Sequence, residues 1–344
     1  MDFNKLISRF KQFGGYKLVI EYAKLGALLP AIKAGIMCII KRQSFKAIYP
    51  EVLKKIEPFL IKKYGAQIPL IAQKFKANTN ISNDTNASTG SATIKPIWFC
   101  WLQGIEKAPE IVHACYNSLQ KHLVQGFNPS TGSGAVQGYE IKVIDGKNWK
   151  EYVELPEYIV KKWEKGRIPA ALFSDLLRLE LLIKYGGTWI DSTVLCTGLH
   201  ENPYNNEKFL DADLFLFQYT QQGEIPVSIS NWFITACTNN EVLMALREML
   251  YAYWKDYDCT LDYYIFHLFF SMLSKEYPEA IKAMPYGCSQ NSLALLHHWG
   301  EKFDQKKWDK LASRVCFHKL AFRVKDEVKR DYNNYYNYIL KTYK

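Results

Sequence analysis

Ser174–Thr193, SDLLRLELLIKYGGTWIDST, decides how this chain is read. Asp175 and Arg178 stand one helical turn apart on a segment that is otherwise almost all leucine and isoleucine. Ionised side chains are rarely buried without partners, so a pair on so apolar a helix marks a candidate site. Gly186-Gly187 stops the helix, and a short strand, Thr188-Trp189-Ile190, carries Asp191 to the edge of a sheet. Three polar groups are thereby expected at the end of a strand, where an α/β sheet binds its ligand. A carboxylate accepts hydroxyl protons, and a guanidinium grips a hydroxyl or phosphate oxygen in fork geometry. The group suits a charged, sugar-bearing substrate. The plainer reading of a bare Asp-x-x-Arg is an intrahelical salt bridge.

Outward from this segment, strands and helices alternate. Ile94–Trp101 reads as a buried strand, Pro109–His122 as a helix with proline in its first turn, and Tyr139–Ile144 as an alternating strand. A charged helix is expected near Trp149–Lys165, and Ile168–Tyr185 is the helix that carries the ion pair. Leu214–Phe217 and Val227–Ala236 read as strands, and Glu241–Tyr257 and Leu261–Glu276 as helices. The alternation predicts an α/β fold with a mainly parallel sheet flanked by helices. Residues 77–93, ANTNISNDTNASTGSAT, and 126–138, GFNPSTGSGAVQG, have the composition of a linker and a loop. The organisation expected is a basic helical region (1–77), a polar linker (78–93) and an α/β domain (94–344).

The chain has 344 residues and a net charge of +10, unevenly spread. Residues 1–77 hold 15 Lys and Arg against 4 Asp and Glu, whereas the remainder holds 29 against 30. The front piece therefore favours anionic partners, either acidic lipid or a phosphate-bearing substrate. Nucleic acid is the least supported partner, because no zinc-ligand spacing, RNA-binding consensus or basic recognition helix is present. Phe3, Leu6, Ile7, Phe10 and Phe13 form a stripe at helical spacing, with Lys5, Arg9 and Lys11 off it. Such a helix either lies in a membrane interface or packs on the chain's own body. Leu25–Ile40 is the most apolar window, but Pro30 and Lys33 interrupt it and it is short for a membrane span. Eight scattered cysteines without a CxxC pair suit a reducing cytoplasm. The expected location is cytoplasmic, with the inner face of the plasma membrane as a peripheral site.

Further candidates follow the first strand and close the chain. Asp191-Ser192-Thr193 puts a carboxylate where a divalent ion could meet a diphosphate, though turns are also capped this way. In Trp98-Phe99-Cys100-Trp101-Leu102-Gln103-Gly104, an aromatic ring could stack on a base or fill the core. In His318-Lys319 and His297-His298, imidazole could complete a metal shell and ammonium could neutralise a diphosphate; a lone histidine is more often structural. No nucleophile elbow, Walker loop, kinase set or GxGxxG is present.

An ordered series carries a resemblance: Ile97–Gly104, Ala108–Ile111, Phe173–Arg178, Gly186–Thr193, Asn231–Ile234 and His318–Leu320. Over about residues 94–323 it resembles the bacterial capsular polysaccharide synthesis proteins. These stand with the sugar-binding DXD glycosyltransferases, close to family 32 and more distantly to the clostridial glucosylating toxins. The resemblance implies a GT-A-type, Rossmann-like fold and transfer of a hexose from a nucleotide sugar, most simply a UDP-sugar, with retention. The acceptor implied is a glycan or lipid-linked oligosaccharide. Carried over by position, Trp101 and Gln103 bind the nucleotide, Trp101 by stacking. Asp175 and Arg178 hold the donor sugar, and Asn231 lines the donor or acceptor side. Asp191, Thr193 and His318 face Mn²⁺ or Mg²⁺, with Lys319 near the phosphates. Asp175, Arg178 and Asp191 form the catalytic set. The last DXD position is Thr193 here, a hydroxyl in place of a carboxylate, which weakens the case for the metal. The competing readings are a sugar-phosphate transferase of the same pathway, and a non-catalytic glycan-binding or scaffold protein with a degenerate site.

Overall fold

The computed structural model describes residues 3–40, 45–82, 94–124, 138–198, 207–219 and 229–344. Most of the polar stretch expected as a linker, the loop at 126–137, and residues 227–228 of the expected strand lie outside these described residues. Five helices open the chain: α1 Phe3–Gln12, α2 Tyr16–Lys24, α3 Leu28–Ile40, α4 Phe45–Gly65 and α5 Ile68–Ser82. The α/β part then runs β1 Ile94–Cys100, α6 Glu110–Leu119, β2 Gly138–Ile144, α7 Trp149–Tyr152, α8 Glu157–Glu164, α9 Ala170–Tyr185, β3 Gly187–Asp191 and β4 Val194–Cys196. It continues through α10 Glu207–Asp211, β5 Leu214–Gln218, β6 Ile229–Ala236, α11 Glu241–Asp256 and α12 Ile265–Leu273. The last elements are α13 Pro278–Ala283, α14 Ser289–His298, α15 Gln305–Ala312, β7 Phe317–Lys319, α16 Asp326–Arg330 and α17 Tyr335–Thr342.

The main sheet has the order β2-β1-β3-β6-β5. β1 pairs in parallel with both β2 and β3, while β6 is antiparallel to β3 and to β5. Four strands therefore run one way and β6 alone runs back, a mainly parallel sheet as expected. Its two faces bury two cores, and the period-2 alternation of the strands assigns the residues. Trp98, Cys100, Trp189, Leu214 and Leu216 face α9, α11 and α12. Ile97, Phe99, Ile190, Phe215 and Phe217 face the core shared with α6, α15 and α17. Trp98, Phe99 and Cys100 are thus core residues, not ligand contacts.

Two expectations need correction. The charged helix near Trp149–Lys165 is two short helices, because Pro156 is extended at the start of α8. Proline removes an N–H and drives the residue before it out of the helical region. A second sheet, β4 paired antiparallel with β7, has no counterpart among the expected strands. Three-residue strands carry too little periodicity to be seen.

The front helices pack on the body. Leu18, Tyr22, Leu53, Ile56, Leu60, Tyr64 and Phe75 belong to the same buried core as α9, α11 and α12. Tyr22 donates to the Leu261 carbonyl at 3.0 Å and Tyr64 to Asp256 at 2.9 Å, and Tyr277 returns a bond to the Ala72 carbonyl at 3.3 Å. Lys17 pairs with Asp258, and Lys63 with Asp256. The stripe on α1 is only partly used, since Phe13 packs against this core while Ile7 and Phe10 remain exposed. Among the described residues no helix is long and apolar enough to cross a membrane.

The step from α9 to β3 sets the position of Asp191. Gly186 caps α9 with φ 65°, and Gly187 follows with φ 85°. A Cβ on Gly187 would stand 2.2 Å from the Pro96 carbonyl oxygen, so the chain can pass β1 only with glycine there. Trp98 locks the turn by donating its indole N–H to the Gly186 carbonyl at 2.9 Å. Replacing Gly187 by Ala is expected to cost at least about 2 kcal/mol from the left-handed backbone and the clash together. Urea denaturation of the variant measures this, and an unchanged midpoint would show that the turn tolerates a side chain.

Candidate active site

The site forms where the carboxyl ends of parallel strands meet the start of the reversed one. Cys100 at the end of β1 is in register with Asp191 at the end of β3. β6 runs the other way, so its first residues, including Asn231, reach the same edge. α9 lies across this end and turns Asp175 and Arg178 inward, both buried.

Arg178 is the hub. Its Nη2 lies 3.2 Å from Asp175 Oδ1 and 3.5 Å from Asp191 Oδ1. Nη1 donates to the Asn231 carbonyl, Nη2 to Ser174 Oγ at 3.1 Å, and Nε to the Ser174 carbonyl at 3.3 Å. The guanidinium carbon stands 4.8 Å from the centroid of the Trp189 ring, a cation–π contact in a dry setting. Asn231 donates from Nδ2 to Asp175 Oδ1 at 2.9 Å. The intrahelical salt bridge is therefore real, but it belongs to a network that also takes in β3 and β6.

Asp191 joins this buried pair to the surface. Its Oδ1 accepts from Trp189 Nε1 at 3.0 Å, and its Oδ2 accepts from Lys319 Nζ at 2.9 Å. Lys319 also donates to Thr193 Oγ1 at 2.6 Å. The side chains of Asp191 and Lys319 are 27% and 20% exposed, against 8% and 4% for Asp175 and Arg178. A ligand arriving from solvent would meet Asp191 and Lys319 first. The structure thus brings together Asp175, Arg178, Asp191, Thr193, Asn231 and Lys319.

Trp101 follows β1 directly, its backbone N–H held by the Ile144 carbonyl at 3.0 Å. Its ring meets Phe322 edge-on at 5.4 Å, and its indole N–H is buried without a hydrogen-bond partner among the described residues. Gln103 is exposed beyond it. His318 does not join the carboxylates. Its neighbour Lys319 reaches Asp191, whereas His318 is buried with Nε2 3.3 Å from Thr197 Oγ1. His298 is also elsewhere, paired with Glu301 at 2.7 Å.

These positions bear on a divalent ion. Mg²⁺ and Mn²⁺ take hard oxygen ligands, often one or two carboxylates. Here the oxygens of Asp191 and Thr193 that would face the ion are bridged by the Lys319 ammonium, and His318 points to Thr197. Among the described residues no three His, Cys, Asp or Glu side chains group as a metal site. The residues as arranged do not fit the ion.

Two residues near the site escaped the sequence reading. Tyr263 is exposed, yet its hydroxyl is pushed up to about 12, by partial desolvation first and then by the charges of Asp175, Tyr264 and Asp191. His267 is half-buried beside the cluster, with its pKa lowered to about 3 by desolvation and by the Arg178 charge. Both precede or open α12, where an aromatic-rich stretch (Tyr263–Phe270) gives no sign that it reaches the end of β3. Asp175 itself is raised to about 7 by burial, with Arg178 opposing and Asp191 reinforcing. Burial opposes ionisation of Asp191 as well, but Lys319 and Arg178 outweigh it and hold its carboxyl below the ordinary range.

Burial also lowers the pKa of His318 to about 4, against an ordinary 6.5. The unfolded chain then takes up a proton that the folded chain refuses. Stability from this group is complete above about pH 6.5 and falls as the pH drops toward 4. Asp175 works in the opposite sense, so the effect is isolated by comparison with a variant. Between pH 7 and pH 5 wild type is expected to lose about 2 kcal/mol more stability than His318→Gln. Thermal or urea melts at the two pH values measure this, and equal losses would show that His318 titrates normally.

The sequence matches the capsular polysaccharide synthesis protein family over residues 38–339. That span reaches into the basic front piece, which the sequence resemblance had left outside. No curated protein matches the chain significantly in sequence. Among solved structures, one described as PaToxG glycosyltransferase aligns with 83% of this chain and 96% of its own, at 13% identity and a TM-score of 0.36. With a match over most of its length, and with the ordered residues of the site inside the matched span, the chain belongs to the capsular polysaccharide synthesis protein family.

Proposed function

We propose that the chain is a glycosyltransferase of surface-polysaccharide assembly. It moves a hexose from a nucleoside diphosphate sugar, a UDP-sugar in the simplest case, to a hydroxyl of a growing glycan, with retention of configuration. The observation that carries this reading is the Arg178 network: a buried guanidinium shared by Asp175 and Asp191, with Lys319 at its open edge.

The chemistry follows from placement. Asp175, fixed by Asn231, and Arg178 hold the donor sugar by hydrogen bonds. Lys319 and Arg178 stabilise the charge that grows on the diphosphate as it leaves. Trp101, beyond β1, offers a ring to the base. No enzymatic nucleophile is required when the departing diphosphate assists deprotonation of the incoming hydroxyl on the same face. The protein's contribution is positioning and charge stabilisation in a largely dry site.

The front helices suit a lipid-linked acceptor at an anionic membrane surface. Leu29, Ile32 and Ile36 lie on one exposed face of α3, and Tyr16 and Ile20 are exposed on α2; Lys11 on α1 and Lys33 on α3 are exposed as well. Exposed apolar side chains on helices that also carry exposed lysine are the composition of an interfacial contact.

Asp175→Ala and Arg178→Ala are each expected to lower sugar transfer by about 10²-fold or more, as loss of transition-state charge stabilisation does. Arg178→Lys should restore little, because a single ammonium cannot span Asp175, Asp191 and the Asn231 carbonyl at once. Turnover is read as nucleoside diphosphate released from a panel of nucleotide sugars. Wild-type rates in the variants would remove these residues from the site, and release of nucleoside monophosphate would identify a sugar-phosphate transferase. The double variant Leu29→Glu, Ile32→Glu is expected to bind phosphatidylglycerol vesicles at least tenfold more weakly, with transfer to a soluble acceptor unchanged. Equal vesicle binding would end the membrane reading.

A further inference from the structure

The Lys319 ammonium lies between the oxygens that a divalent cation at Asp191-Ser192-Thr193 would use. The backbone puts it there. β7 pairs with β4 so that Lys319 stands opposite Val194, immediately after Thr193. The ladder extends at both ends: the Leu320 N–H donates to the Thr193 carbonyl at 2.8 Å, and the Thr197 N–H to the Cys316 carbonyl at 2.9 Å. The turn bearing Asp191 and the strand bearing Lys319 are therefore tied together by main-chain bonds, and Lys319 is not a long side chain that happens to fold inward.

Charge and donor count agree with this placement. Asp191 supplies one negative charge and Thr193 none, so one ammonium balances the pair. A divalent ion on the same oxygens would sit beside Lys319 and Arg178, two positive charges already bound to Asp191. It would have to displace the ammonium or share its oxygens with a like charge. An ammonium has three N–H donors. Asp191 and Thr193 take two among the described residues, which leaves one for a phosphate oxygen at the partly exposed edge.

We propose that Lys319 takes the place of the divalent cation in this site, so that a nucleoside diphosphate binds and departs without added metal. This rests on the glycosyltransferase reading. In the transfer step the bond from the anomeric carbon to the diphosphate oxygen breaks, and its electron pair stays on the diphosphate. The acceptor oxygen bonds the anomeric carbon, and the acceptor proton passes to a diphosphate oxygen. Lys319 keeps its protons and balances the new charge, with Arg178 behind it.

The test uses the full chain. UDP, GDP, ADP and dTDP are titrated by calorimetry in Mn²⁺ and in EDTA, and nucleoside diphosphate release from the corresponding sugar nucleotides is followed in both buffers. At least one nucleotide is expected to bind, and its sugar derivative to be cleaved, equally well in the two buffers. Lys319→Ala is expected to weaken binding and lower release about 10²-fold or more in both, with no rescue by Mn²⁺. Binding and release confined to the Mn²⁺ buffer would overturn the inference and leave the glycosyltransferase reading standing. A Lys319→Ala chain with wild-type binding and release would do the same. Failure of every nucleotide and sugar nucleotide in both buffers would remove both. The wild-type comparison needs no variant, so a Lys319→Ala chain that does not fold leaves the question decided.

Discussion

The rest of the site depends on one buried guanidinium. Arg178 is nearly inaccessible, and its charge is met by Asp175, Asp191, two backbone carbonyls, a serine hydroxyl and the face of Trp189. Taking an ion out of water costs several kcal/mol, and such networks seldom add net stability over an apolar core. An arrangement of this kind is retained for what it positions. Here it ties together three elements: the middle of α9, the end of β3 and the start of β6. It also orders the carboxylates by environment. Asp175 is deep and raised toward neutrality, whereas Asp191 lies nearer the solvent, with its ionised form favoured by two cations. Two similar side chains thereby sit in opposite environments, one disfavouring the ionised form and the other favouring it, the usual arrangement where paired carboxylates divide a task.

Much of this was legible because it is local. The apolar run of α9, its double glycine stop and the short strand after it lie within 20 consecutive residues, so composition and turn chemistry determine them together. The alternation of strands and helices likewise foretells a mainly parallel sheet. What stayed hidden depends on contacts distant in sequence. The reversed direction of β6 follows from its pairing with β3, some 40 residues earlier, and no period in the strand encodes it. β4 and β7 are too short to show a pattern, yet they bring Lys319 to Thr193 across 126 positions. The same ladder explains the error with His318. Neighbours on a strand face opposite ways, so a strand that points Lys319 at Asp191 turns His318 into the core against Thr197.

The front helices show why charge and periodicity alone could not decide between packing and membrane contact. A helix can bury one stripe and keep a second apolar face. In α2, Leu18 and Tyr22 enter the core while Tyr16 and Ile20 face outward; in α3, Ala34 is buried while Leu29, Ile32 and Ile36 are not. The two readings compete only if a helix has a single apolar side. The packed side uses the Tyr22 hydroxyl on the Leu261 carbonyl, the Tyr64 hydroxyl on Asp256, and lysines on Asp256 and Asp258, which tie the helices to the end of α11 and the segment leading into α12. Any surface presented by the outer side is then held in a fixed relation to the Arg178 network, because α12 also carries His267 beside that network.

A tethered ammonium and a divalent ion answer the same electrostatic demand with different consequences. The ion carries twice the charge and polarises phosphate oxygens directly, but it must be recruited, often together with the nucleotide, and its occupancy follows the surroundings. Lys319 is always present, since its position is fixed by main-chain bonds to the strand beside Asp191. Its single charge is the weaker stabiliser, and Arg178 lies just behind the same carboxylate to supplement it. Thr193 fits this scheme in a way that a second aspartate would not. A hydroxyl accepts from the ammonium without adding negative charge, so Lys319 and Arg178 together outweigh the Asp191 carboxylate and keep an attraction for an incoming diphosphate. With a carboxylate at 193, the ammonium would be neutralised twice over and its pull on a phosphate reduced. The replacement that looks like decay when the turn is read alone is, with Lys319 in place, what leaves the cation available to its ligand.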